Sequence, residues 1–357
     1  MDDLLLTFSV GLLCGFAFLK AKVPGGMMVG SIFGVAILSI VFERAYMPGF
    51  ARFIAQVTAG AFIGCTVEKS DLARMKGIYK PALVITVFML ATNLLLGMII
   101  SWVSPLNLQT AFFSAVPGGM SDIPIIAADL GADVPKVAVL QFVRMVAGVG
   151  VFPGVIAMGK KRAHAVSEEN PQEEHPAALE ENPPQQSATP HGIRTVWPVF
   201  LCAGVTGLIG AVLKVPAGAM SFSMVGVIIL KLAGIPVSMP LLAKRIAQVL
   251  AGAYIGCSIG YEDVLELKYL VLPSLVLLAG YFLNCWIVGH LLSKRFGMLP
   301  EEGMLAATPA GASDMALISS DMGVQSADLI VLQIIRKLVV VMLFPPIICW
   351  LVALSGG

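Results

Sequence analysis

Ile54-Ala55-Gln56-Val57-x-Ala59-Gly60-Ala61-x-Ile63-Gly64-Cys65 is written a second time as Ile246-Ala247-Gln248-Val249-x-Ala251-Gly252-Ala253-x-Ile255-Gly256-Cys257. Pro117-Gly118-Gly119-Met120-Ser121-Asp122 returns as Pro309-Ala310-Gly311-Ala312-Ser313-Asp314, and Gln141 and Arg144 return as Gln333 and Arg336, always 192 residues on. A gapless internal duplication in an apolar chain is a common plan among membrane carriers. It also separates polar residues that occur in pairs from those that occur once.

The chain is apolar throughout. Of its 357 residues, 57% are hydrophobic and 13% charged, with mean hydropathy +0.88. Soluble domains carry roughly 25% charged residues, so the composition reads as an all-α polytopic membrane protein in contact with a lipid bilayer. The net charge of +1 gives no basic surface for a nucleic-acid partner. Met1-Asp2-Asp3 runs straight into an apolar stretch without a basic leader or a small-residue cleavage site, so the first helix reads as uncleaved. The six cysteines all lie in apolar segments and form no CxxC pair, which fits small buried hydrophobes better than a disulfide or zinc framework.

Apolar stretches of spanning length fall at 4–19, 24–42, 50–67, 81–103 and 136–158, and again at 197–213, 216–233, 243–260, 270–292 and 328–352. Each half holds one further apolar segment that is broken, 109–128 at Pro117-Gly118-Gly119 and 303–320 at Pro309-Ala310-Gly311. Between the halves, 159–195 carries Lys160-Lys161-Arg162, six glutamates and five prolines; it cannot bury a core and reads as a disordered linker. The domain plan is a first membrane repeat at 1–158, the linker at 159–195 and a second repeat at 196–357.

Counting Lys and Arg sets the orientation. If the broken segments return to the side they left, each half has five spans and the second half is inverted. With the N-terminus outside, the inner side holds fifteen cations: Lys20, Lys22, Lys69, Arg74, Lys76, Lys80, Lys160, Lys161, Arg162, Arg194, Lys231, Lys244, Arg245, Lys294 and Arg295. The outer side holds five: Arg44, Arg52, Lys136, Lys214 and Lys268. If the broken segments crossed fully, the repeats would be parallel and the split would be nine against eleven. The expected fold is therefore two inverted repeats of about five transmembrane helices, each with a broken or re-entrant Pro/Gly segment, about 10–12 membrane segments in all.

The broken segments carry the strongest chemical signal. Proline removes an amide donor and clashes with the preceding turn, and unwound backbone at membrane depth survives only where it is buried in protein or lines a polar cavity. Ser121-Asp122 and Ser313-Asp314 place hydroxyls and carboxylates beside backbone freed at Gly118, Gly119 and Gly311. The expectation is a solute or coupling-ion site near the midplane, built from both halves. The plainer reading is a kink in which Asp122 caps the half-helix that follows. Gln141 and Arg144 share one face of the last span, as do Gln333 and Arg336. A buried arginine needs a partner, and Asp122 or Asp314 is the expected one; snorkelling to the interface is the alternative. Lys337 has Met145 at the matching position and reads as a boundary residue.

Gln56 and Gln248 sit in the helix with Gly60, Gly64, Gly252 and Gly256, a small-residue face for close helix approach. Packing with one interhelical hydrogen bond is the leading reading, a pore-lining amide the second. Asp129 and Asp321 read as helix-end residues, and Asn93 and Asn284 fall one position out of repeat register. His164, His175 and His191 lie in the linker and His290 stands alone, so no transition-metal ligand set or metal cofactor is expected. There is no GxxxxGK[ST], GxSxG or HExxH.

These paired motifs, Gln-Val-x-Ala-Gly-x-x-Ile-Gly and Pro-x-Gly-x-Ser-Asp, resemble the bacterial AbrB-duplication membrane family, over nearly the whole chain except the linker. Its members are commonly labelled ammonia monooxygenase or AbrB family transcriptional regulator. The resemblance implies a multi-pass protein of the bacterial inner membrane and, by label, regulation of gene expression. Here the second copy has lost one glycine, at Ala310. The residues offer no metal or flavin site for an oxygenase and no basic reading element for DNA. The architecture is similar to the bile-acid-symporter and cation-antiporter type of fold, a likeness that transfers no substrate. The expected function is an ion-coupled secondary transporter, not an enzyme, moving a small anionic solute with sodium or a proton as the coupling ion. A membrane regulator of gene expression is the alternative. The linker is expected in the cytoplasm, and the glycine faces permit a homodimer.

Overall fold

A computed structural model describes residues 2–23, 25–152, 154–156, 193–310, 315, 319 and 326–355. Linker residues 157–192 lie outside the described residues, as do Gly311, Ser313, Asp314 and Asp321. Every regular element described is a helix. The first repeat forms α1 (Asp2–Lys20), α2 (Gly26–Phe42), α3 (Gly49–Thr66), α4 (Lys69–Val103), α5 (Leu108–Ala115), α6 (Ile123–Asp129) and α7 (Val134–Gly150). The second forms α8 (Ile193–Val212), α9 (Gly218–Leu232), α10 (Leu241–Cys257), the short α11 (Tyr261–Glu266) with a 3₁₀ turn (Leu267–Leu270), α12 (Val271–Phe296), α13 (Pro300–Ala307) and α14 (Ala327–Leu354).

The duplication recurs in the local chemistry. The main-chain N–H of Glu68 donates to Asp71 Oδ2 at 2.8 Å ahead of α4, and Gly260 N–H donates to Asp263 Oδ2 at 2.8 Å ahead of α11. Ser31 Oγ donates to Gly11 and Met27 carbonyls, both at 2.7 Å, while Ser223 Oγ donates to Ala203 and Ala219 at 2.8 and 2.7 Å. Residue 25 enters α2 with φ +65°, and its repeat Ala217 enters α9 with φ +58°. Glycine adopts that left-handed backbone freely, whereas a Cβ makes it cost roughly 1–2 kcal/mol, so the second copy carries a strain that the first avoids.

Among the described residues, five helical stretches are long and apolar enough to cross a membrane: Asp2–Lys20, Gly77–Val103, Val134–Ile156, Tyr261–Phe296 and Asp328–Leu354. Ten unbroken spans were expected. The apolar stretches Gly26–Phe42, Val196–Val212 and Gly218–Leu232 are shorter. Each of the ten expected stretches nevertheless falls on a helix, and the positive-φ residues Gly25 and Ala217 mark where α2 and α9 begin. What holds is a helical membrane protein. Its periphery exposes Leu13, Phe16, Trp102, Trp197 and Leu201, while Asn93, Gln141, Arg144 and Gln333 are buried. That distribution suits lipid outside and polar groups satisfied within.

Sequence halves and spatial bundles do not coincide. α1–α3 pack with α8–α10, and α4–α7 pack with α12–α14. In the first bundle the halves exchange partners, α3 lying on α9 and α10 on α2. The repeated glycines make this contact. A Cβ on Gly60 would collide with the carbonyl oxygen of Met220, and one on Gly252 would lie 2.7 Å from that of Met28, the repeat equivalent of Met220. In the second bundle α4 meets α12, where Thr92 Oγ1 donates to Asn284 Oδ1 at 3.0 Å. Those two positions are themselves repeat equivalents, so the register that set Asn93 and Asn284 apart as unpaired was matching the wrong neighbours: Asn284 pairs with Thr92. The bundles meet where α6 touches α3 and α10, α7 touches α10, and α14 touches α9.

Candidate functional site

The seam between the bundles is built around the break between α5 and α6. Asn107 starts α5, its Oδ1 accepting from Thr110 N–H at 2.7 Å. After Ala115 the chain leaves the helix. Gly118 N–H turns back to Val116 O at 2.8 Å, and the N–H groups of Asp122 and Ile123 both donate to Gly119 O, at 3.0 and 3.1 Å. A side chain on Gly118 would collide with Ile123, and one on Gly119 with the Asp122 carboxylate. These glycines are fixed by close approach within the turn, and Pro124 then opens α6 in its first turn.

Among the described residues, Arg144 makes no ion pair with Asp122, the partner expected for it. Arg144, 1% exposed, donates from Nη1 to Val116 O and from Nη2 to Gly118 O. Gln141 Nε2 donates to Phe113, Ser114 and Val116 oxygens at 3.0–3.2 Å. In the second copy Arg336 donates to Thr308 and Ala310, and Gln333 to Leu305 and Ala306. Every acceptor is displaced by 192 residues from its first-copy equivalent. The physical reason is that a half-helix ending inside the protein leaves carbonyls without partners and a partial negative charge. A guanidinium, five donors in a rigid fork, satisfies both at once.

Asp122 has a different partner. Its carboxylate, on a residue only 4% exposed, faces Lys337 Nζ at 3.2 Å, an ion pair not aligned as a hydrogen bond. Lys337 is thus no boundary residue, and the lysine that breaks the repeat supplies the counter-charge. Asp122 does not cap α6 through its side chain. Ser121 Oγ accepts from Gln248 Nε2 of α10 at 3.3 Å. Gln56 of α3 donates to Ile125 O at 3.2 Å and to Asp129 Oδ2. The two repeated glutamines therefore tie the first bundle to the break and to α6.

Asp129 ends α6 but does more than terminate it. Arg52 Nη2 pairs with Asp129 Oδ1 at 2.8 Å, and its Nη1 donates to Ala128 O at 3.1 Å. The guanidinium stacks 5.3 Å from the Tyr254 ring of the other half. The repeat equivalents, Lys244 and Phe62, make the same cation–ring contact at 4.2 Å. Sequence reading missed this pairing, although a cation at 52 and 244 with an aromatic at 62 and 254 was its signal. It missed Tyr281 too, which has Met89 as its counterpart; the buried phenol donates to Ala115 O and lies within electrostatic reach of both Arg144 and Arg336.

The structure thus brings Gly118, Gly119, Ser121, Asp122, Gln141, Arg144 and Gln248 to one break, with Gln56 farther along α6. Gln333 and Arg336 hold the equivalent end of α13. The family description "Transition state regulatory protein AbrB" matches residues 27–352, most of the chain and both breaks.

The chain belongs to the AbrB family. Among its relatives, "Uncharacterized protein YhjN" of Bacillus subtilis (strain 168) is 23% identical over 349 residues, covering 93% of this chain and 88% of that one. "Putative regulator AbrB" of Escherichia coli (strain K12) is 24% identical over 343 residues, covering 95% and 93%. Among the described residues of this AbrB-family chain, buried polar side chains such as Asp122, Gln141, Arg144, Gln333 and Arg336 lie at the break that follows α5 and the equivalent end of α13.

Proposed function

We propose that this AbrB-family protein is an ion-coupled secondary transporter of a small anionic solute, with its site at the α5–α6 break and alternating access between the two bundles. One observation carries the reading. A turn of unwound backbone with a buried carboxylate lies where the two bundles meet, and side chains from both bundles hold it. Such breaks are tolerated at membrane depth where they line a pathway. The sparse seam gives the bundles freedom to move against each other, and bistable packing of this kind is how access alternates. The Lys and Arg count supports inverted halves with the N-terminus outside, in the inner membrane. Two guanidiniums and Lys337 gather around the breaks, and that excess of positive charge suits an anionic solute. The reading involves no enzymatic step and no resident cofactor.

The test is flux in proteoliposomes under imposed sodium and proton gradients, with a panel of organic anions. Asp122→Asn is expected to leave the protein folded, since it is isosteric, and to lower gradient-driven uptake at least about tenfold. Normal uptake by this variant would remove Asp122 from the site.

The family description and the name of the Escherichia coli relative favour a second reading, a membrane regulator of gene expression acting through a partner. Deleting residues 165–190 separates the two. Transport is expected to survive the deletion. A loss of the protein's effect on transcript levels, with the membrane core still folded, would favour the regulator.

A further inference from the structure

We infer that Lys337 is a resident counter-cation that a sodium ion must displace to reach Asp122. The inference takes its purpose from the transport reading, but its evidence is the geometry of one ion pair. Asp122 is buried, and Lys337 Nζ stands 3.2 Å from its Oδ2. A carboxylate taken out of water needs a positive partner, and Lys337 is the cation within ion-pair distance among the described residues.

Neighbouring positions on α14 serve opposite breaks. Arg336 fastens the Thr308 and Ala310 carbonyls of the second half, and Lys337 turns to the carboxylate of the first. In the first repeat the position after Arg144 is Met145, an apolar side chain beside Met120 and Gly25. The lysine is therefore not part of the duplicated fastening that both copies need. It occurs in one copy only, against the Asp122 carboxylate.

The two cations also differ in how firmly they are held. Arg144 is bound by two main-chain oxygens and is 1% exposed. The Lys337 side chain is 34% exposed, and among the described residues it meets Asp122 in an unaligned ion pair. A compact ammonium on a flexible stem can swing toward water without breaking a bonded network. The oxygens left behind, the Asp122 carboxylate and the neighbouring Ser121 hydroxyl, are the hard ligands an alkali cation takes. When sodium enters, the ammonium leaves. The charge at the carboxylate is balanced in both states, so neither the loaded nor the unloaded site exposes a bare buried ion as the bundles move.

The experiment is thermal unfolding of the purified full-length chain in detergent, titrated with sodium chloride against choline chloride at constant ionic strength and fixed pH. Sodium is expected to stabilise the wild type and to have no effect on Asp122→Asn. Lys337→Met copies Met145 and removes the competitor, so its half-maximal sodium concentration should fall about tenfold or more, the usual weight of one close opposite charge. Lys337→Arg keeps a competitor and should stay near the wild-type midpoint. If Lys337→Met does not fold, Lys337→Gln makes the same comparison. A midpoint equal to wild type in the neutral variants, or no sodium-specific stabilisation at all, would overturn the inference. Sodium binding with the expected shift but no solute flux in liposomes would sink the transport reading and leave this one standing; flux without a sodium response would do the reverse.

Discussion

Replacing Arg144 by methionine is expected to destabilise the protein by on the order of 1–3 kcal/mol, the weight of the buried Gly118 carbonyl left unsatisfied. The guanidinium holds the Val116 and Gly118 carbonyls just beyond the end of α5, and Val116 O keeps the N–H of Gly118 and the Gln141 amide when the guanidinium is gone. Gln141 shares only the first of these, so it cannot take over Gly118. Thermal unfolding in detergent measures the loss directly. Arg144→Lys should fall between wild type and Arg144→Met, because one ammonium cannot reproduce a fork spanning two carbonyls. The pair of variants also separates two roles. If Arg144 holds the break, both lose stability in that order; if its duty is to bind solute alone, both keep the wild-type melting temperature and lose only flux. Arg336→Met should behave as Arg144→Met does, since it removes the equivalent bonds to Thr308 and Ala310.

The second large effect is expected from the repeated glycine helix. Gly60→Ile and Gly252→Ile should abolish a monodisperse folded species on size exclusion, and the alanine variants should cost about 1–3 kcal/mol each through overpacking. The obstacle at each site is a main-chain oxygen, Met220 O or Met28 O, and not the end of a movable side chain. A helix carbonyl cannot rotate away, so the helices must part. Gly64 and Gly256 lie under the same constraint, 2.7 Å from Met224 O and 2.9 Å from Ile32 O for an added Cβ. Gly204 on α8 has open space around its Cβ position. Gly204→Ala is therefore expected to be neutral or to stabilise by about 0.5–1 kcal/mol, the ordinary helical preference of alanine over glycine. Equal behaviour at Gly60 and Gly204 would show that the exchange contact between halves contributes little.

Much of the local structure was legible in advance. The two α-helices that carry the Gln-Val-x-Ala-Gly pattern start at Gly49 and Leu241, and the half-helices before the breaks run Leu108–Ala115 and Pro300–Ala307, each pair offset by 192 residues. The break itself followed from proline and glycine in an apolar run. The ten apolar stretches fall on helices, with ends that differ by a few residues where a helix runs past its apolar part, as α4 does from Lys69. Ser121, Asp122, Gln141 and Arg144 come together at the first break, and Gln333 and Arg336 lie at the end of α13. The expected partnership between Arg144 and Asp122 is replaced by one between Lys337 and Asp122.

The sequence by itself determined what depends on neighbours along the chain: helix propensity, the break, the repeat and the membrane class. Tertiary structure alone decided that the two halves trade helices to make two bundles and that Lys337 faces Asp122. It also decided that Arg144 binds carbonyls rather than the Asp122 carboxylate. The physical reason is that a buried charge goes to the group whose desolvation it best offsets at the distance the packing allows. Just beyond α5 that group is a pair of main-chain oxygens, which every residue carries and no sequence pattern marks.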